Sequence, residues 1–446
     1  MSSHEIFFPW RIIRSGSPGM TPHALIVASS SGRLRQCPFR NNCMWQEHQN
    51  APLRCFSGTA TPNPLSSVSI DHSIIPICIM ISSSGSIMTP LFRIKSCWSL
   101  AGIGTSIVIE YKTGPCIVMD LGATPNYADS LRASVVLLTH GHLDHMGAIF
   151  SHARAYALQH SGQSATYYMP ADLVPLLERA KACMEALDAE NDGSLSLSTS
   201  STAGSSQRNE SGLPMTFVGV RPGDALDLPI KKNLNGETIF VRVFKTFHRG
   251  APSVGYVVGV RQRPTLKNEY KGMTSQRLRE LAMSKVSIVE SIDCFEVAYT
   301  GDTTIETFRP YLQEGHSSDD LDKSALHLEQ AFQCHFFITE STILDSNKES
   351  RCKAHDMGHM HLLDIVDAVV PRVQHHLVLL HISSRYDADT ALQLIAASIS
   401  PRTPCLVAVA SLHRVGSEVD PLLSENGLLL LSAYRQYSKL TTRTEN

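Results

Sequence analysis

Residues 139–147 read Thr139-His140-Gly141-His142-Leu143-Asp144-His145-Met146-Gly147. They follow directly on Val135-Val136-Leu137-Leu138, an apolar run with the length and β-branched character of a buried strand. Three imidazoles and a carboxylate on a turn between such a strand and a following helix can converge on a small volume. Imidazole nitrogen suits zinc and other borderline divalent ions, and the carboxylate can ligate, bridge two ions or accept a proton. A polar turn that happens to be histidine-rich is the plain alternative; four ligand-type residues in alternation weigh against it.

The 446-residue chain around this run carries 39 Lys+Arg against 41 Asp+Glu, with 43% hydrophobic and 18% charged residues. Such a chain is too apolar to be mostly disordered and can bury one large core with appendages. A net charge of −2 excludes a uniformly basic nucleic-acid binder and leaves room for a local basic patch. The eleven cysteines form no C-x-x-C pair and no dense framework, so reduced thiols in an intracellular compartment are expected. The most apolar window, Ile74–Ile81, contains Pro76 and falls short of the roughly 18–20 apolar residues of a membrane span, so no transmembrane helix is expected.

Composition divides the chain. Residues 1–95 are serine-rich, and Arg11, Arg14, Arg33, Arg35, Arg40, Arg54, Arg93 and Lys95 face only Glu5, Glu47 and Asp71. That is the texture of an organelle transit peptide, for a plastid or mitochondrion, or of a disordered leader on a protein of the cytoplasm or nucleus. A folded domain is expected over 96–425, with a flexible polar insertion at about 188–212 and a tail at 426–446. Leu173, Leu176, Leu177, Ala180, Cys183, Met184 and Leu187 recur at helical spacing, which predicts a helix over 170–187 packing its stripe into a core. Strands first, then strands mixed with helices, predict an α/β (α+β) protein of sheets packed together and covered by helices.

The H-x-H-x-D-H run resembles the signature of the metallo-β-lactamase superfamily, and the resemblance covers most of residues 97–410. It implies a four-layer αββα fold and a metal-dependent hydrolase or relative. Other motifs narrow it. Asp120, in Val118-Met119-Asp120-Leu121-Gly122, resembles the family's first-motif aspartate, which supports the metal loop from behind the ligands. Lys245-Thr246-Phe247-His248 with Pro252-Ser253-Val254-Gly255-Tyr256 resembles the third-motif histidine segment of tRNase Z. Ala298-Tyr299-Thr300-Gly301-Asp302-Thr303 resembles the segment carrying the bridging aspartate, and Leu379-Leu380-His381-Ile382-Ser383-Ser384-Arg385-Tyr386 the fifth motif. Ile338-Thr339-Glu340-Ser341-Thr342 and Gly358-His359-Met360-His361 lie between these two. With Lys267-Asn268-Glu269-Tyr270-Lys271-Gly272, the set is most similar to the short, plant-type form of tRNase Z.

That resemblance implies two Zn2+ per chain, with Mn2+ as an alternative. His140, His142 and His248 would hold one, Asp144, His145 and His381 the other, and Asp302 would bridge. It also implies Asp144 as general base and His359, or else His361, as donor of a proton to the departing ribose 3′-oxygen, with Glu340 orienting His359. The implied substrate is precursor tRNA, cut to a tRNA with a 3′-hydroxyl and a trailer with a 5′-phosphate, by a homodimer with no membrane attachment. Two departures stand out: one extra residue between His248 and Gly255, and no Gly-Pro signature in the segment where the bacterial form inserts its substrate arm. That segment, about 261–293, instead offers Arg261, Arg263, Lys267, Lys271, Arg277, Arg279 and Lys285, either a solvated charged face or a clamp on tRNA phosphates. Arg385 either positions a phosphate or locks the His381 loop. The remaining histidines, such as His152, His327 and His376, are expected to be packed or surface residues. The rival readings are a phosphodiesterase of the same fold for small or cyclic nucleotide diesters, and a binding subunit without catalysis.

Overall fold

The computed structural model describes residues 80–81, 87–88, 90–112, 114–123, 127–188, 213–230, 234–311, 322–410, 428–432 and 434–435. Strands β1 (Met80–Ile81) and β2 (Ile87–Met88) form a short antiparallel pair. One six-stranded sheet then runs in chain order through β3 (Phe92–Leu100), β4 (Gly104–Tyr111), β5 (Cys116–Leu121), β6 (Ala133–Leu137), β7 (Ala165–Pro170) and β8 (Met215–Val220). Its first three strands are antiparallel to one another and the rest are parallel.

The second sheet has eight strands. In chain order the strands are β9 (Ala225–Asp227), β10 (Thr238–Lys245), β11 (Val254–Arg261), the arm pair β12 (Thr265–Leu266) and β13 (Val289–Glu290), and β14 (Asp293–Tyr299). Then come β15 (Phe336–Glu340), β16 (His376–Leu380), β17 (Leu406–Ala410) and β18 (Leu428–Leu430). Without the arm pair, which forms its own two-stranded ribbon, the sheet order is β18-β17-β16-β15-β14-β11-β10-β9. Strands β14 to β17 are parallel and both flanks antiparallel.

Period-two alternation assigns each strand residue to one of three cores. Ile107, Ile109, Val135 and Leu137 of the first sheet share a buried cluster with Val241, Tyr256, Val258 and Val297 of the second, so the two sheets pack face to face. Their neighbours Val108, Val118 and Val136 point the other way, against Ile149, Ala153 and Tyr156 of the helix Ile149–Gln159. On the far side Phe244, Val257, Ala298 and Phe337 pack on Leu328 and Phe332 of the helix Lys323–Phe332 and on Leu392 and Ile395 of the helix Ala388–Ser398. The result is the expected four-layer αββα arrangement.

Three sequence boundaries shift. The domain's first long strand starts at Phe92, not 96, and Phe92 and Ile94 are core residues. The tail expected at 426–446 supplies β18, which pairs with β17, and Leu429, Leu431 and Tyr434 enter the outer core. The helix expected over 170–187 is Val174–Asp188, preceded by a 3-10 turn at Ala171–Leu173, and its stripe is not core. Only Leu177 of that stripe is buried; Leu176 is 51% and Leu187 79% exposed, and Met184 and Cys183 are exposed too. Positions 1–79 of the leader and 189–212 of the insertion lie outside the described residues. Among the described residues no helix is long and apolar enough to cross a membrane.

Candidate metal centre

The chemistry-bearing residues all leave strands at one edge of the two sheets. Asp120 stands near the end of β5, His140 to His145 follow β6, His248 follows β10, Asp302 follows β14, Glu340 closes β15 and His381 follows β16. Asp120 and His381 adopt positive φ (53° and 57°), a conformation that turns each side chain out of its strand and into the cleft. Asp144 and His145 ride on the single turn Leu143–Met146. His359 follows the helix Lys348–Met357, whose end is capped by Gly358 at φ 86°. A Cβ there would come within 2.6 Å of Cβ of Arg249, so glycine is demanded by both backbone and space.

Among the described residues, His140, His142, His248 and Asp302 present ligand atoms to one point, and Asp144, His145 and His381 to a neighbouring one. Asp302 belongs to both places: its carboxylate is 3.8 Å from Nε2 of His140, 3.3 Å from Nε2 of His145 and 3.4 Å from Nε2 of His381. Nε2 of His381 is also 3.4 Å from Oδ2 of Asp144, and Nε2 of His248 lies 3.2 Å from Nδ1 of His142. Nε2 of His140, Nε2 of His145 and Oδ1 of Asp302 are buried without a hydrogen-bond partner. Buried polar atoms without partners are costly, and a borderline divalent ion among imidazoles and carboxylates satisfies them. The donor set therefore fits a metal.

Neighbouring groups choose which imidazole nitrogen faces the cleft. His248 donates from Nδ1 to the Gly358 carbonyl at 2.7 Å, and His145 donates from Nδ1 to Oδ2 of Asp120 at 2.7 Å. Thr139 donates its hydroxyl to Asp120 at 2.8 Å, leaving its oxygen to accept Nδ1–H of His140 at 3.0 Å. Thr342 repeats the device, donating to Glu340 while accepting Nδ1–H of His381 at 3.0 Å. In all four rings Nε2 is left bare toward the shared point, as a ligand must be.

Burial, then the neighbouring His145, holds the His140 ring well below the usual imidazole range and hence neutral. For His145 burial acts the same way, but the charges of Asp302 and Asp120 overcome it and raise its pKa well above that range. Burial works against the charge of Asp144, yet the hydrogen bond from His381 and the nearby His145 keep its carboxyl below the ordinary range. His359 is pushed up to about 9: burial opposes its charge, while Glu340, both of whose oxygens lie within 3.2 Å of Nδ1, and Asp302 favour it.

Every expected ligand thus lies at this one edge, with Asp120 behind His145 and Glu340 against His359. His361 does not join them. Its Nδ1 accepts from Leu363 N–H at 3.1 Å and caps the turn Leu362–Asp364, while Nε2 faces Oγ of Ser350 at 3.2 Å. Arg385 donates from Nε to Ser383 and lies 5.8 Å from the Tyr386 ring, bracing the His381 loop. The arm carries Lys267, Lys271, Arg277 and Arg279 around the 3-10 turn Asn268–Tyr270 and the helix Ser275–Met283; Arg277 pairs with Glu280 at 2.9 Å. Expected packed histidines are packed: His152 bonds Tyr167 and Ser130, and His327 the Val243 carbonyl. Sequence reading missed Thr139, Thr342, the Tyr299 hydroxyl on Asp120 at 2.8 Å and the Gly102 N–H on Asp144 at 2.9 Å. Threonine and tyrosine beside a motif carry no signal until the chain folds.

No family model matches the chain. Two curated proteins of Arabidopsis thaliana are similar to it. tRNase Z TRZ1 is 27% identical over 285 residues, 64% of this chain and 84% of the relative. The protein named tRNase Z TRZ2, chloroplastic, is 26% identical over 296 residues, 65% of this chain and 68% of its own. Among solved structures, the short form of human tRNase Z is 15% identical, with a TM-score of 0.36, over 66% of this chain and 93% of that one. The similarity to tRNase Z read from the motifs is borne out by the two curated relatives.

Gly122 tests how far the centre depends on its backing. A Cβ at Gly122 would lie 2.0 Å from the Asp144 carbonyl oxygen, so Gly122→Ala must displace the turn that carries Asp144 and His145. The expected outcome is a folded protein, by circular dichroism, whose bound metal measured by elemental analysis falls well below that of the wild type. Unchanged metal content would show that the turn tolerates the shift.

Proposed function

We propose that this protein is a metal-dependent endoribonuclease that removes the 3′ trailer from precursor tRNA. The observation that carries the reading is the joint placement of two ligand groups around Asp302 with a Glu340–His359 pair beside them, in a chain similar to proteins named tRNase Z. His140, His142 and His248 would hold one Zn2+ and Asp144, His145 and His381 the other, with Asp302 available to either group. When bound, the ions supply a nucleophile at neutral pH and neutralise charge that builds on the phosphodiester oxygens.

The chain's own residues do the rest. Asp144, kept charged by His381 and His145, accepts the proton of the attacking water. Glu340 holds Nδ1–H of His359, which leaves Nε2 to give a proton to the departing ribose 3′-oxygen; the raised pKa of His359 keeps that proton available at neutral pH. Exposed Lys271, Arg277 and Arg279 on the arm, with Lys267, supply cations for tRNA phosphates away from the cut. A small-diester phosphodiesterase has no need of such an arm.

Two further readings belong to this one. The helix Val174–Asp188 exposes Leu176, Met184 and Leu187, and Leu143 beside the metal turn is 77% exposed; this apolar face supports a homodimer. The basic, serine-rich composition of residues 1–95, together with similarity to a relative named chloroplastic, supports delivery to a plastid.

Zinc-loaded protein incubated with a 3′-extended precursor tRNA is expected to make one chelator-sensitive cut after the discriminator nucleotide, mapped by primer extension. Asp302→Asn should abolish it without unfolding the chain, and His359→Ala should slow it by about 10²–10⁴-fold. Hydrolysis of a small diester with no cut of the precursor would instead favour the phosphodiesterase. Light scattering should give twice the chain mass for the wild type and a single chain mass for Leu176→Glu/Leu187→Glu; a monomeric wild type defeats the dimer. A fluorescent reporter fused to residues 1–95 should enter plastids, and a diffuse cytosolic signal rejects that route.

A further inference from the structure

Beside the metal centre lies a cavity of about 700 Å³ that none of the roles above uses. Its walls include Arg221, Lys245, Phe247, His248 and Arg249, so one wall is a proposed metal ligand. Phe247 is 40% exposed, unusual for a phenylalanine between a buried threonine and a buried histidine, and its backbone N–H is fixed by Oγ1 of Thr307 at 3.0 Å. The Lys245 ammonium sits 4.5 Å from the centre of its ring. Among the described residues no carboxylate lies within ion-pair distance of Arg221, Lys245 or Arg249; of the two acids on the wall, Glu306 is paired with Arg309 at 2.6 Å, which leaves Asp172 against three cations. An exposed aromatic ring among unpaired cations is the pairing that binds single-stranded nucleic acid, the ring stacking on a base and the cations meeting the backbone.

Position says which nucleotide. The His248 ring lies 5.1 Å from that of His359, His248 is bonded to the Gly358 carbonyl, and Arg249 packs where Gly358 leaves no room for a side chain. The cavity therefore continues the wall from which His359 reaches the leaving 3′-oxygen. We propose that this cavity holds the unpaired nucleotide on the 5′ side of the cut, its base stacked on Phe247 and its phosphates met by Arg221 and Arg249. The inference rests on the endoribonuclease reading and adds to it a site for the base next to the scissile bond.

The test crosses a protein change with a substrate change. Precursor tRNAs are made with an ordinary or an abasic nucleotide just 5′ of the cut, and kcat/KM is measured for wild type, Phe247→Ala and Phe247→Trp. Wild type should lose about 5- to 150-fold on the abasic precursor, the range expected for one stacked base. Phe247→Ala should lose the same factor on the ordinary precursor and nothing further on the abasic one, and Phe247→Trp should restore the dependence. Arg221→Gln and Arg249→Gln should each lower the slope of log affinity against log salt by about 0.7. Wild type that cuts both precursors equally, or a full abasic penalty persisting in Phe247→Ala, overturns the base site while leaving the nuclease standing. Wild type that cuts neither overturns both.

Discussion

Asp120 is a fully buried carboxylate with four hydrogen bonds. It accepts from Thr139 N–H, the Thr139 hydroxyl, Nδ1–H of His145 and the Tyr299 hydroxyl, at 2.7–2.8 Å. A charge out of water is tolerated only with this degree of satisfaction, so its partners are held as firmly as it is. Thr139 and His145 belong to the loop after β6 in the first sheet, and Tyr299 ends β14 in the second. One side chain thus registers the histidine loop against both sheets. Tyr256 of β11 adds a parallel tie by donating to the Leu138 carbonyl at 2.8 Å.

Glu340 plays the corresponding part on the second sheet. It accepts from Thr303 N–H at 2.6 Å and from the Thr342 hydroxyl, and it faces His359. Each half of the site therefore has a buried acid and a threonine that passes the acid's preference on to a ligand histidine: Asp120 through Thr139 to His140, Glu340 through Thr342 to His381. Fixing the tautomer in advance removes a choice the ring would otherwise make when metal arrives. Four carboxylates, Asp120, Asp144, Asp302 and Glu340, gather at this centre, a concentration of negative charge that favours cations. Bound metal would offset that charge where a substrate phosphate enters, and Arg221, Lys245 and Arg249 place further positive charge along the adjoining cavity.

The misread elements share a physical cause. Helical periodicity in Leu173–Leu187 identifies an apolar face, but periodicity does not say what covers it, and here Leu177 is buried and Leu173 packs against the core while Leu176, Met184 and Leu187 stay exposed. His361 sits two residues from His359 and is the alternative proton donor by sequence, yet the turn after Gly358 sends the two rings to different places, one to Glu340 and the other to a helix cap. The strand Leu428–Leu430 is three leucines long, too short to announce pairing; it exists because β17 leaves an edge for it to cover. Outside these places the alternation of Ile107–Val108–Ile109 and Val135–Val136–Leu137 already divided residues between two cores, because a strand has only two faces.

Sequence by itself determined the donor chemistry and the strands that carry it: seven ligand-type residues, each just beyond an apolar run, in an order that leaves little choice of fold. It could do so because ligand identity and strand alternation are local properties of the chain. Only the tertiary structure decided how the donors meet, with Asp302 between two groups of ligand-type residues, each of which combines donors from the loop after β6 in the first sheet with a histidine carried by the second. It also decided which ring nitrogen faces inward, which of two nearby histidines reaches the centre, and that Phe247 opens into a cationic cavity instead of packing in a core. Several of those outcomes depend on contacts between residues a hundred or more positions apart, such as His248 with Gly358 and Tyr299 with Asp120, which no local pattern encodes.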